Sequence, residues 1–306
     1  MHSLVKISLA FLIILLILFM GFILVLYFKN KQVAVSNEFQ ESVYLDGSVK
    51  PWEAPITLKI VTFNIQDLFV VGKNRPARMR HIGKVLTELD PDIVGFQESF
   101  LANDRKILLE ALKDSRLSFH HYFSSGLVGS GLLICSAWPI QESFFHRYSE
   151  AAPAYRVWEG DYWAGKGAAL ARIETPAGML DFYNTHAQAD YKGVDYTALR
   201  QGQMAELAAF MNESRIPDVP ALLVGDMNCR QGAVDHETVV KDVGLSRLMT
   251  IKSGIDHIYG GDAGRVVFEV VDTISIEAVI EEGGRRFELS DHPGFMSTLR
   301  IIPQEG

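Results

Sequence analysis

Apolar residues cluster first at the N-terminus of the chain. Ile7 to Phe28 is uncharged, with Ser8 and Gly21 as the breaks in its apolar character, and Lys29-Asn30-Lys31 ends it. A helix rises ~1.5 Å per residue, so this run reaches across a hydrocarbon core of ~30 Å. It is longer than the apolar stretch of a cleaved signal peptide, and no small-x-small cleavage site follows. The reading is therefore an uncleaved single-pass membrane anchor over 1–31, with a cleaved signal as the competitor. Lys6 on one side and Lys29 and Lys31 on the other leave the charge count nearly balanced. A short flank before such an anchor ordinarily stays cytoplasmic, which places the rest of the chain outside the cytoplasm. Residues 32–56 mix Ser, Asn, Glu and Gln with Pro51 and Pro55 and hold no sustained period. They read as a linker, and a folded domain is expected over 57–306.

Within that domain, short apolar runs alternate with helical spacing. Leu58 to Phe63 reads as a strand rich in branched residues. Pro76 to Leu89 carries Met79, Ile82, Val85, Leu86 and Leu89 on one helical face, and Asp90-Pro91 stops it. Strands are expected at Ile93 to Phe96, Leu132 to Cys135, Ala221 to Val224, Ile255 to Tyr259 and Gly294 to Ile301. Ala168 to Ile173 and Leu180 to Asn184 read as a hairpin about Pro176 to Gly178, and Tyr196 to Met211 as a helix. No internal repeat appears. Strand-helix-strand units mixed with hairpins predict an α/β (α+β) domain with mixed sheets around one core.

Composition narrows this modestly. The 306 residues are 48% hydrophobic and 22% charged, ordinary for a packed chain. A net charge of −8 gains little from the counterion release that drives nucleic-acid binding. Cys135 and Cys229 are too few for a disulfide framework and show no metal spacing, so they read as free thiols, with a single disulfide as the alternative if the domain is extracytoplasmic.

Polar residues fall repeatedly where strands end. Asn64, Gln97-Glu98, Asn184-Thr185-His186 and Asp226-Met227-Asn228 each follow a strand. Asp256 sits beside another, and Asp291-His292 precedes the last. Each alone has a bland reading: a solvated loop carboxylate, a turn asparagine, a chance Asp-His pair such as the one at Asp256-His257. Together they put hard oxygen donors and imidazoles at one rim, a set suited to Mg²⁺, Mn²⁺ or Ca²⁺ rather than a thiolate zinc site.

The ordered set Thr62-Phe63-Asn64-Ile65, Gln97-Glu98, Asn184-Thr185-His186, Gly225-Asp226-Met227-Asn228, Asp256-His257-Ile258 and Ser290-Asp291-His292 resembles the endonuclease/exonuclease/phosphatase superfamily. The resemblance covers about residues 57 to 302. It implies a four-layer sandwich of two mixed β-sheets flanked by helices, and a phosphodiester hydrolase using a divalent metal, Mg²⁺ first and Mn²⁺ as alternative. It further implies Glu98 as principal metal ligand with Asn64 beside it and Asp291 linked to the metal. His292 is the implied general base, oriented by Asp256. His186 and Asn228 would hold phosphoryl oxygens, and Asp226 would bind a second metal or assist the leaving group.

Local features are similar to neutral sphingomyelinases: Asp161-Tyr162-Trp163-Ala164-Gly165-Lys166-Gly167 before a strand, His186-Ala187-Gln188-Ala189-Asp190-Tyr191, and Arg200-Gln201-Gly202-Gln203 opening a helix. In the second stretch Gln188 stands where that branch carries a second His. From these, Lys166 and Arg200 are expected to bind substrate. The competing readings are a tight turn at Gly165-Lys166-Gly167, which lacks the spacing of a Walker loop, and solvent-facing helix positions for Arg200 and Gln203. Trp158, Tyr162 and Trp163 read either as an interfacial loop or as a small core cluster under a loop, and Phe144-Phe145 shares that ambiguity. The expected substrate is sphingomyelin or a related phospholipid. A nuclease or phosphatase of the same fold is the alternative, a binding protein with a dead site the third reading. No feature names a protein partner.

Overall fold

The computed structural model describes residues 2–33, 35, 38, 39, 41–44, 49, 52–261 and 265–304, with the backbone alone for 2–7. Met1, Pro51, much of the expected linker and residues 305–306 lie outside the described residues.

The N-terminal run forms α1 (His2–Gln32), long and apolar enough to cross a membrane, its apolar middle uncovered by the rest of the protein. The chain then builds two sheets of six strands each. The first joins β1 (Ile56–Asn64), β2 (Ile93–Gln97), β3 (Phe119–Tyr122), β4 (Leu133–Ser136), β11 (Val266–Ile276) and β14 (Gly294–Pro303), in the order β11-β14-β1-β2-β4-β3. The second joins β5 (Ile140–Arg147), β6 (Gly167–Thr175), β7 (Gly178–His186), β8 (Ala221–Asp226), β9 (Leu245–Arg247) and β10 (Asp256–Gly261), in the order β5-β6-β7-β8-β10-β9. The pairs β1-β2 and β7-β8 are parallel and the remaining pairs antiparallel, so both sheets are mixed as expected. A small hairpin, β12 (Val279–Glu282) with β13 (Arg285–Glu288), leads into the segment before β14.

Period-two alternation on β1 explains the layering. Leu58 and Ile60 join the core between the sheets, with Phe182, Leu222 and Val224 opposite. Val61 and Phe63 point the other way, against α2 (Arg75–Leu89) and α3 (Ala102–Ala111). On the far side, Leu170, Tyr183 and Leu223 pack under α4 (Thr197–Ser214) and α5 (Val234–Val243). The order helix, sheet, sheet, helix is the four-layer sandwich. The expected face of α2 holds: Met79, Ile82 and Leu86 are buried, and Asp90, in a left-handed conformation at φ 52°, terminates it.

Strands β3, β5, β9, β11 and the β12-β13 hairpin, with α3 and α5, go beyond the elements expected from pattern. β11 is an edge strand whose burial alternates only loosely, and β9 has three residues. Such elements are set by the neighbour they pair with rather than by their own period. The linker also differs from a bare tether. Trp52 is buried between the sheets, with Nε1 donating to the Met179 carbonyl at 2.7 Å. Ser42 and the Val43 amide bond to Glu142, and Phe39 packs on Phe144 and Phe210. Both cysteines are buried free thiols, as expected.

Candidate active site

Strand direction collects the polar ends. In the parallel pairs Asn64 stands beside Gln97 and His186 beside Asp226, and parallel neighbours deliver their C-terminal ends to one edge. β10 starts at that edge antiparallel to β8, so Asp256 lies opposite Asp226. β14 starts there too, antiparallel to β1, which brings in the preceding Asp291 and His292. Gly225 precedes Asp226 at φ +153°, and a Cβ there would meet the Thr185 carbonyl oxygen at 2.2 Å. A side chain at 225 would push β8 from β7 and displace Asp226.

The Asn64 amide spans the two sheets. Its Nδ2 donates to Glu98 Oε1 at 3.1 Å and to Asp226 Oδ2 at 3.0 Å, while Oδ1 accepts from the Gln66 amide. His292 Nδ1 lies 3.0 Å from Asp256 Oδ2 and 3.8 Å from Asp226 Oδ2. His186 Nε2 lies 3.7 Å from Asp226 Oδ2 and 3.9 Å from Glu98 Oε1. Asn228 donates its side-chain amide to the Ala187 carbonyl and its backbone amide to Asp226 Oδ1. Lys166 is buried beside them: its Nζ sits 2.8 Å from Asp161 Oδ1, 2.8 Å from the Ala187 carbonyl and 3.1 Å from His186 Nε2. Glu98 and Asn228 take left-handed backbone conformations, at φ 57° and 51°. Such strain costs of order 1–3 kcal/mol and persists where surrounding structure holds it, often at functional sites.

Charge is poorly balanced at this rim. Burial pushes the Glu98 carboxyl up to about 7; Asn64 and Lys166 oppose this, and the charges of Asp226 and Asp291 add to it. Burial and the charge of Asp226 likewise push Asp256 up. Burial disfavours a charged His292, but the Asp256 hydrogen bond and the charges of Asp226, Asp256 and Asp291 outweigh it and hold the imidazole above its usual range. His186 is held neutral, by burial first and then by the charges of Lys166 and His292. Glu98 Oε2 and Asp256 Oδ1 are buried without a hydrogen-bond partner. Carboxylate oxygens left bare among like charges are what a cation would satisfy. Among the described residues one acidic and histidine triad, Asp226, Asp256 and His292, brings its donor atoms within 4.8 Å of one another. In that triad the His292–Asp256 bond engages Asp256 Oδ2 and leaves Oδ1 bare, so Asp256 and Glu98 each keep one free oxygen.

The structure thus gathers Asn64, Glu98, His186, Asp226, Asn228, Asp256 and His292, with Asp291 exposed at the rim and Lys166 just behind. It treats Arg200 differently. Rather than facing solvent or Glu98 and its neighbours at the rim, Arg200 is buried and bonded to Asp235, Asp190 and the Gln188 carbonyl. Gln203 is buried as well and holds the Gln188 amide. Gln188 bonds to Asp161, the partner of Lys166. Trp158 is 71% exposed, whereas Tyr162 and Trp163 stack edge to face, half-buried. Phe145 belongs to the core between the sheets.

Arg78 on α2 went unmarked in sequence. Its guanidinium reaches the carbonyls of Lys73, Ile65, Gln66 and Leu289, tying the loop after Asn64 to the one before Asp291. Ser290 adds a bond to the Asn64 carbonyl at 2.7 Å. An arginine on a helix gives no local sign of such acceptors, since they come from segments distant in sequence.

Fold and site together define a class, and sequence comparison agrees with it. The Endonuclease/Exonuclease/phosphatase family matches residues 61–292, and the chain belongs to that family. Within it the similarity runs to neutral sphingomyelinases and their kin. The chain is 32% identical over 175 residues to sphingomyelin phosphodiesterase 2 of Homo sapiens, covering 56% of this chain and 41% of that protein. It is 31% identical over 185 residues to the inositol phosphosphingolipids phospholipase C of Schizosaccharomyces pombe, covering 60% and 43%. The chain therefore spans less than half the length of these relatives. Among solved structures, a mutant beta toxin from Staphylococcus aureus with bound magnesium ions superposes with a TM-score of 0.62 at 19% identity, covering 79% of this chain and 99% of that one. At that identity the likeness speaks to fold alone.

Proposed function

We propose that this protein is a membrane-anchored, divalent-metal-dependent phosphodiesterase that cleaves sphingomyelin or a related phospholipid, releasing a phosphorylated head group. The observation that carries the chemistry is the His292–Asp256 pair at 3.0 Å, facing the rim where Glu98 keeps a bare buried oxygen. The names of the relatives support the lipid class. Glu98 would hold the ion, with Asn64 and Asp291 beside it, and Mg²⁺ suits these oxygen donors, as does Mn²⁺. When bound, the cation would offset charge on the phosphoryl oxygens and on the Glu98 carboxylate.

In its neutral form His292 takes the proton from the attacking water, and Asp256 fixes its tautomer and stabilises the imidazolium that results. The water oxygen bonds to phosphorus as the bond from phosphorus to the lipid oxygen breaks, and the departing oxygen takes a proton from solvent, while the proton held by His292 is later returned to solvent. Asn228 donates toward the phosphoryl oxygens, while neutral His186 and Lys166, whose Nζ is bonded to Asp161, the Ala187 carbonyl and His186, support that side of the pocket from behind. Asp226 serves the leaving-group side. Arg200 acts at one remove, holding Gln188 and thereby Asp161 and Lys166. α1 is read as a single-pass anchor with the domain outside the cytoplasm. Tethering then raises the local concentration of lipid substrate.

The test is to incubate the purified full chain with sphingomyelin, phosphatidylcholine and plasmid DNA, with Mg²⁺ and with chelator. Head-group release from a lipid, lost on chelation, is expected. Nicked DNA with intact lipid would sink the proposal in favour of a nuclease.

A further inference from the structure

The end of α1 does not leave the domain on a free tether. Asn30 is fully buried against it: its side-chain amide donates to the Tyr162 carbonyl and accepts from the Leu127 amide, both at 2.9 Å, and its own carbonyl accepts from Arg147 at 3.0 Å. One turn earlier, Tyr27 stacks on Tyr162 with ring centroids 5.7 Å apart and planes 5° from parallel. The segments that receive the helix are themselves joined, Gly126 bridging to Ala164 and the Gly165 amide bonding to the Gly129 carbonyl. In the stretch leading to Tyr162, Tyr155 and Trp158 are 70% and 71% exposed and Val157 is exposed too, with Arg156 lying over the Trp158 ring at 5.7 Å, and Val128 is exposed in the other segment. The same segments lead inward through Asp161 to Lys166 and His186.

Position along α1 identifies what covers this surface. The apolar run ends at Phe28, and Asn30 is already inside the domain. At ~1.5 Å per residue those positions lie about 3 Å apart along the axis, while the head-group zone of one leaflet is roughly 5–8 Å deep. Aromatic residues in that zone are favoured because an apolar ring and a polar edge both find partners there.

We infer that the docked end of α1 and the exposed apolar residues around Trp158 form one bilayer-facing surface, which holds the mouth of the candidate active site against the leaflet that carries α1. This rests on the reading of α1 as an anchor and of the substrate as a lipid of that membrane. Ser42, Phe39 and Trp52, packed along the domain, keep the connection from paying out.

The experiment uses the full chain in vesicles of phosphatidylcholine and sphingomyelin, with and without brominated acyl chains. α1 contains no tryptophan, so tryptophan emission reports the domain alone. Bromine should quench it, and Trp158→Phe should remove most of the quenching. The double variant Tyr27→Leu/Asn30→Ala, which undocks the helix, should lose quenching and cleave sphingomyelin in the same vesicle about tenfold more slowly, in line with loss of effective concentration. Its turnover of a water-soluble aryl phosphodiester should be unchanged. Absence of quenching, or quenching indifferent to Trp158→Phe or to undocking, overturns the surface even if sphingomyelin is cleaved. Quenching with this dependence but no lipid cleavage upholds the surface and removes the substrate reading instead.

Discussion

Replacing His292 by alanine takes away the one imidazole bonded to Asp256 at the rim, and it sits at a loop end rather than in the core. Turnover should fall at least 10²-fold, in the range of general-base contributions, with an unchanged melting temperature. Retained turnover would show that the base lies elsewhere. His257, the neighbour of Asp256, points away from the rim and donates from Nε2 to the Cys229 carbonyl. Burial, aided by the charges of His236 and Arg247 and opposed by that bond, lowers it from 6.5 to about 4. Between those values the unfolded chain binds a proton that the folded chain refuses, so stability present above pH 6.5 is lost as pH falls toward 4. The contribution is roughly 3 kcal/mol. Urea midpoints measured across that window should drop in the native protein and drop less in His257→Asn. Parallel curves would place the acid sensitivity elsewhere.

At the level of elements, the rim depends on two loops being held at a set spacing. Arg78 joins them through carbonyl acceptors on both sides, with no carboxylate among its hydrogen-bond partners in the described residues. Arg78→Met leaves those carbonyls without a donor, and each buried unsatisfied group costs about 1–3 kcal/mol. The variant should melt earlier and lose turnover more than substrate affinity, whereas Arg78→Lys, with one cationic donor group, should recover part of both. Equal kcat in Arg78→Met and native protein would reduce the arginine to a stabilising role. Arg200 belongs to the same scale. The helix start that carries it was legible, but its two carboxylate partners, Asp190 and Asp235, come from separate segments that only the packing of α4 on α5 brings together.

Over the whole molecule, the described linker residues Phe39, Ser42, Val43 and Trp52 pack on the domain. A chain beginning at residue 57 loses Trp52, whose buried ring fills space between the sheets. Truncating a buried Trp typically costs 3–5 kcal/mol. That shortened chain should therefore melt well below one beginning at residue 33, and equal melting temperatures would return the segment to a passive tether.

The order of apolar and polar residues was enough to show mixed sheets around one core and the strands that carry the site, and the motif resemblance added the four-layer sandwich. Those strands are largely buried on both faces and ended by polar residues, so each announces itself locally. Asn64, Glu98, His186, Asp226, Asp256 and His292 were legible for the same reason: each follows or precedes a strand whose direction is set by topology. What sequence left open depends on distance in the chain. The edge strand β11, the Arg78 bonds, the burial of Arg200, the packing of Trp52 and the docking of Asn30 are decided by partners tens to hundreds of residues away. No local period encodes such partners, and they exist only once the two sheets have closed on each other.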